Sequence, residues 1–283
     1  MTLGIVGGTG LYKFDGLDIQ EERAVETPFG VPSAPLVRGL HAGKEIWFLA
    51  RHGAGHAKLP HEVNYRANVF ALKQVGVTHA IGVSAVGSLR EEIAPGDLTI
   101  PAQYFDWTRG RREATFFGNG VAAHVSTAEP TCAELTKRVV DAAASIGTKI
   151  RTGTTYACVE GPRLGTRAES FFLRGPAGCD VVGMTNVPEA FLMREAQIAY
   201  CTVAIATDWD CWRDDPSTHV TVADVIARYG ASLATAVAVM RQAIATQDFS
   251  FDCPSRHALE MALLTPDAAL TPAQRSWIDV LRT

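Results

Sequence analysis

The stretch Val203-Ala204-Ile205-Ala206-Thr207-Asp208-Trp209-Asp210-Cys211-Trp212 decides the reading of the fold. It opens as an apolar run, preceded by Tyr200-Cys201-Thr202, and ends in two carboxylates. A short apolar run of this kind reads as a strand buried on both faces. In an open α/β sheet, ligands bind beyond the carboxyl ends of the strands. Asp208 is therefore expected to emerge from the sheet into a site. Desolvation there raises a carboxylate's pKa and suits it to act as a general acid. Taken alone, Asp208 reads more simply as a cap for the following turn, a role Asp fills readily.

Other strands end in the same way. Leu3-Gly4-Ile5-Val6 runs into Gly7-Gly8-Thr9-Gly10, and glycines there let the backbone approach an anion closely. The turn is not a dinucleotide fingerprint, because Lys13 stands where the third glycine belongs. Glu45 to Ala50 is a strand ending in Arg51-His52-Gly53, and Arg offers a rigid fork of donors that matches phosphate oxygens. Val77 to Val83 is a strand stopping at Ser84-Ala85-Val86-Gly87-Ser88. Leu98-Thr99-Ile100-Pro101 is a short strand that Pro101 should end. Thr154 to Val159 and Cys179 to Gly183 are strands, the second leading into Met184-Thr185.

Between these runs, apolar residues fall at helical spacing over 64–73, 131–146, 167–173, 189–197 and 222–245, and a short helix is expected at 272–281. Residues 24–37 and 106–120 read as turn-rich or polar connections. Alternating strands and helices define one α/β domain with a central mixed β-sheet flanked by helices.

Composition narrows the function. The 283 residues are 47% hydrophobic and 20% charged, an ordinary globular balance with enough chain for a sizeable core. A net charge of −4 gives no reason to expect nucleic acid or an anionic membrane surface as partner. No apolar run approaches the roughly 20 residues of a membrane span. The N-terminus enters a strand with no basic region, which argues against a signal peptide. Six cysteines form no Cys-x-x-Cys pair, and a reducing, cytoplasmic setting is expected. His52, His56 and His61 lack a helical ligand spacing, so no metal is expected.

Strand ends thus deliver Thr9, Arg51-His52, Ser84, Thr185 and Asp208. Hydroxyls, backbone N–H groups and one Arg suit inorganic phosphate, and an acid facing them suits protonation of a leaving group. Glycosyl transfer to phosphate requires that pairing, because its transition state is oxocarbenium-like.

The chain resembles the 5′-methylthioadenosine phosphorylases of the trimeric purine nucleoside phosphorylase superfamily. The resemblance rests on Gly7-Gly8-Thr9-Gly10-Leu11, Thr27-Pro28-Phe29-Gly30, Leu49-Ala50-Arg51-His52-Gly53, Val63-Asn64-Tyr65-Arg66-Ala67-Asn68 and Gly87-Ser88-Leu89-Arg90. It continues through Glu160-Gly161-Pro162-Arg163, Arg167-Ala168-Glu169-Ser170, Gly183-Met184-Thr185, Val187-Pro188-Glu189 and Ala206 to Trp212. These matches run in family order to about residue 245, which implies a phosphorylase domain over 1–245 and a C-terminal extension over 246–283.

The resemblance implies phosphorolysis of a purine nucleoside by a homotrimer, with phosphate as co-substrate and no cofactor. Thr9, Arg51, His52, Ser84, Ala85 and Thr185 would hold phosphate, and Met184 would lie under the ribose. Asp208 would protonate purine N7, and Asp210 would accept from a 6-amino group. His124, Val222, Val225 and Ile226 would surround a 5′-methylthio group, His124 from a neighbouring subunit, with Leu263 closing the pocket. Two departures stand out. Leu164 replaces the aromatic that adenine-preferring relatives often place on the purine, and Asp214 to His219 differs beside the 5′ pocket. Methylthioinosine, adenosine and inosine remain alternative substrates, and a non-catalytic nucleoside sensor remains an alternative function.

Overall fold

In the computed structural model, β1 (Thr2–Gly7) lies between β4 (Lys44–Ala50) and β5 (Val77–Ser88), parallel to both. Residues 2–108, 110–213 and 222–283 are described, and the side chains of 222–228 are not. β9 (Ala199–Asp208) pairs parallel with β5 along almost its whole length, from Ala199 beside His79 to Asp208 beside Gly87. Nine of its ten residues are buried, as the apolar run requires. The remaining strands are β2 (Asp18–Arg23), β3 (Leu36–His41), β6 (Leu98–Trp107), β7 (Ile150–Val159) and β8 (Val181–Gly183). The sheet order is β2-β3-β4-β1-β5-β8-β7-β6-β9, and because β9 also pairs with β5, the last five strands close into a ring. Parallel and antiparallel pairs coexist, so the sheet is mixed.

The period-2 alternation of the central strands sorts the helices onto two faces. Leu3, Ile5, Ile81, Val83, Cys201, Val203 and Ile205 point into the core layer formed with α2 (Ala133–Ser145) and α5 (Val222–Thr246). Val6, Ala80 and Tyr200 point the other way, toward α1 (Tyr65–Gln74) and α4 (Asn186–Glu195). α3 (Arg167–Arg174) starts with a capping box in which Thr166 and Glu169 satisfy each other's backbone donors. α6 (Pro272–Arg282) begins with the same device at Thr271 and Gln274, and buries Ile278 and Leu281 in the α1–α4 layer. No helix among the described residues is long and apolar enough to cross a membrane.

Three expectations need correction, and one strand was not anticipated. The unanticipated strand is β2, polar and almost wholly exposed at the sheet edge, and β3 begins inside the segment 24–37 read as a connection. Its partner β3 turns into β4 through Ala42 and Gly43, both at positive φ (49° and 76°), as a tight hairpin requires. The strand expected to stop before Ser84 runs on to Ser88, because Gly87 and Ser88 find new partners in β8. β6 continues past Pro101 to Trp107, with Pro101 at a break in the β6–β7 register, where the missing N–H costs no ladder bond.

The C-terminal helix generates a stability prediction. Leu281 is fully buried, so Leu281→Ala should lower the unfolding free energy by about 2–5 kcal/mol in a urea titration. A loss no larger than about 0.5 kcal/mol, typical of surface positions, would show that α6 is not part of the core.

Candidate active site

The carboxyl ends of β1, β4, β5, β8 and β9 open into one cavity of about 520 Å³, lined by Thr9, Arg51, His52, Ser84, Ala85, Met184, Thr185, Leu164, Asp208 and Asp210 among others. That volume suits a nucleoside-sized ligand. Every residue expected to hold phosphate, the ribose or the base therefore lies on it.

One end is built around Arg51, which is fully buried. Its Nε and Nη2 donate to both Glu189 carboxylate oxygens at 2.6 and 2.7 Å, and Nη1 donates to the Val83 carbonyl at 2.8 Å. Tyr200 Oη donates to Glu189 Oε1 at 2.6 Å and Thr202 Oγ1 donates to Tyr200 Oη at 2.6 Å, so the carboxylate is held from the sheet side as well. Burial alone would lower the Arg51 pKa, but the Glu189 charge and hydrogen bonds reverse this and hold it above its ordinary value. Three of the five Arg51 N–H groups thus donate to Glu189 and Val83. Gly8 makes room for this arrangement, since a Cβ there would collide with the Val83 carbonyl and lie 2.9 Å from Arg51 Nη1. The Tyr229 hydroxyl of α5 donates to the Thr9 carbonyl and fixes that turn.

His52 is nearly buried, and its Nδ1 donates to the Lys58 carbonyl at 2.9 Å. Burial first, and the Arg51 charge second, push its pKa down to about 4. At neutral pH the ring is uncharged, and the Nδ1–H bond leaves Nε2 with a lone pair. The ring stacks on His56 at 4.2 Å between centroids. Ser84 Oγ is buried beside the Tyr156 hydroxyl without a well-formed hydrogen bond. The Thr185 side chain makes no cap bond to α4.

The other end carries the two carboxylates. Asp208 terminates β9, and burial raises its pKa. Its Oδ2 accepts from Thr207 Oγ1 at 2.6 Å and its Oδ1 from the Asp210 backbone N–H at 2.7 Å. Asp208 therefore both caps the following turn and faces the cavity. That turn puts Asp210 at φ 51°, and burial raises its pKa too. Between the two ends, Met184 Sδ occupies the space that a Cβ on Gly161 would need, so only Gly fits there at φ 69°. Leu164 is 65% exposed at the rim.

Not every expected residue arrives. His124 is exposed and does not line the cavity. Its neighbour Ala123 bridges to Leu263, and its N–H donates to the Ala262 carbonyl, so His124 and Leu263 sit together elsewhere on the surface. The side chains of Val222, Val225 and Ile226, and the segment 214–219, lie outside the described residues. Among the described residues no three His, Cys, Asp or Glu side chains converge as metal ligands.

Two residues were not anticipated. Glu189 lies in a segment that carries the family resemblance but had no role. Arg112 lies in the polar connection before α2, where nothing in the local pattern marks it as buried. Glu195, at the end of α4, fastens that connection by accepting from Thr115 Oγ1 at 2.7 Å and the Phe116 N–H at 2.8 Å.

These features define the class of protein. A model of the phosphorylase superfamily matches residues 2–245, and the chain belongs to that family. It is 46% identical over 279 residues to the S-methyl-5′-thioadenosine phosphorylase of Geobacter sulfurreducens, covering 99% of this chain and 97% of that one. The enzyme of the same name from Bradyrhizobium diazoefficiens is 44% identical, covering 99% and 96%. A methylthioadenosine phosphorylase from an antarctic soil metagenomic library superposes with a TM-score of 0.92 at 40% identity, covering 99% and 98%. The methylthioadenosine phosphorylase of Schistosoma mansoni, in complex with adenine, gives 0.82 at 35% identity, covering 88% and 94%.

Glu195 generates a pH prediction. Burial raises its pKa from 4.5 to about 7, so between those values the folded chain keeps a proton that the unfolded chain has released. Stability then falls as pH rises through that window. Glu195→Gln retains an acceptor for the Phe116 N–H and never ionises. Its melting temperature should gain on the wild type from about pH 4.5 to 7 and run parallel above. A constant difference across that range would contradict the assignment.

Proposed function

We propose that this protein catalyses phosphorolysis of 5′-methylthioadenosine to adenine and 5-methylthioribose 1-phosphate. The observation that carries this reading is the polarity of the cavity, with an Arg and hydroxyl groups at one end and two carboxylates of raised pKa at the other. Phosphate would sit on Thr9, Arg51, Ser84, Thr185 and the Ala85 backbone. His52 would accept the P–OH of monohydrogen phosphate at its Nε2 lone pair, holding the anion without adding charge.

The bond between C1′ and the purine N9 breaks as a phosphate oxygen bonds to C1′. The developing oxocarbenium ion is stabilised by the anion, and Asp208 delivers a proton to N7 so that the base leaves neutral. The Thr207 and Asp210 hydrogen bonds orient Asp208 and oppose the effect of burial, which raises its pKa. The reaction requires no metal or organic cofactor, since phosphate is the nucleophile and a carboxylic acid neutralises the leaving group.

An ionised Asp210 accepts hydrogen bonds only, so it favours a 6-amino purine over a 6-oxo purine by about 1–3 kcal/mol. Leu164 favours a second reading. An exposed aliphatic side chain at the rim replaces aromatic stacking on the base, which weakens the preference for adenine and admits methylthioinosine. The methylthio group would be enclosed by Val222, Val225 and Ile226, together with His124 of the partner subunit in a homotrimer. The exposure of His124 and its placement beside Leu263 support a role across an interface.

Base release from 5′-methylthioadenosine, methylthioinosine and adenosine, with and without phosphate, tests the reading. Adenine should appear fastest, from methylthioadenosine, and only with phosphate. Asp208→Asn should lower kcat by about 10²–10⁴-fold on 6-amino substrates, the usual contribution of general acid catalysis, and less on 6-oxo substrates. An unchanged preference in that variant would remove Asp208 from N7, and nucleoside binding without turnover would favour a sensor.

A further inference from the structure

Arg112 is almost completely buried, yet it does not line the cavity. Its five N–H groups all point into protein. Nη1 donates to the carbonyls of Met184 and Val187, both at 2.7 Å. Nε donates to the Glu160 carboxylate at 3.1 Å, and Nη2 to the Glu160 carbonyl at 2.9 Å and, more weakly, to the Val159 carbonyl at 3.4 Å. The guanidinium also lies over the Tyr65 ring, 5.4 Å from its centroid, while the Tyr65 hydroxyl donates to the Pro60 carbonyl at 2.8 Å.

These partners belong to three separate walls of one cavity. Met184 and Val187 bracket Thr185, on the phosphate side. Glu160 opens the segment that carries Pro162, Leu164 and Gly165, on the base side. Pro60 belongs to the third wall. The β7–β8 ladder ends at Cys158 and Gly183, and one planar group ties together the segments that run on beyond it toward the cavity.

We propose that Arg112 is a positioning residue, whose guanidinium sets the phosphate wall against the base wall and so fixes the distance over which phosphate attacks the nucleoside. This rests on the phosphorolysis reading above. No donor of Arg112 is left for substrate, so it acts through Thr185 and the 160–165 segment. A Lys at this position would restore the charge but supplies three donors without a fixed fork, and it cannot span both walls. Misplacement of reacting groups by about 1 Å can cost about 10²-fold in rate.

The test uses the full-length Arg112→Lys and Arg112→Ala proteins, assayed well below their melting temperatures. The expected result is a fall in kcat/KM for phosphate of about 10²-fold in Arg112→Lys, with adenine affinity changed by less than about threefold. Adenine affinity is measured by calorimetry without phosphate. A merely structural role would lower the melting temperature and leave kcat/KM per folded molecule unchanged, and that result overturns the proposal. Equal losses of adenine affinity and of kcat/KM overturn it as well. If neither variant folds, Glu160→Gln, which removes the charge on one partner, should move phosphate kcat/KM in the same direction by a smaller factor, and no change there counts against the proposal. Absence of phosphate-dependent turnover in the wild type would instead defeat the functional reading, before any variant is assayed.

Discussion

The buried pair of Arg51 and Glu189 is the constraint on which the site depends. An unpaired guanidinium at the centre of the sheet edge would be severely penalised, and removing one member of such a pair costs about 3–5 kcal/mol. Glu189 must therefore lie where both its oxygens meet Arg51, which fixes the start of α4 and with it Thr185. Tyr200 holds the same carboxylate from the sheet side. On the proposed function, this end of the cavity is the one that would take phosphate.

The carboxylate end follows an opposite logic. Asp208 and Asp210 are desolvated by burial, which raises the pKa of both. Their placement is a consequence of β9. A strand buried on both faces must end where its backbone can again be solvated, and the last residue of its ladder, Asp208 beside Gly87, carries the carboxyl. On the proposed function, separating a donor-rich end from an acid-rich end across one cavity would let a single site attack a glycosidic carbon and neutralise the leaving base. Just beyond the β7–β8 ladder, the walls between these ends are joined by the Arg112 guanidinium, which donates to the Met184 and Glu160 carbonyls.

Much of this was legible in the sequence, and the reasons are physical. β9, β1, β4 and β5 are apolar runs ending in Gly, Ser, Thr, Arg or Asp, so both the strand and its functional tip are written locally. The helices 65–74, 133–145 and 222–246 announce themselves by periodicity. The polar edge strand Asp18–Arg23 was not legible, because an exposed edge has no apolar face to alternate. The continuation of β6 past Pro101 was not legible either, since it depends on a register break with β7 that only the folded sheet reveals. Glu189 and Arg112 were missed for a related reason. A charged residue in sequence is normally surface, and only its tertiary partners make burial tolerable.

The most direct test of the central claim is phosphorus NMR of wild-type protein mixed with 5′-methylthioadenosine and inorganic phosphate. The account predicts loss of the inorganic phosphate signal and growth of a sugar 1-phosphate signal, one for each adenine released. Adenine release with the phosphate signal intact would mean that water is the nucleophile, and the role given to the Arg51 end of the cavity would be wrong.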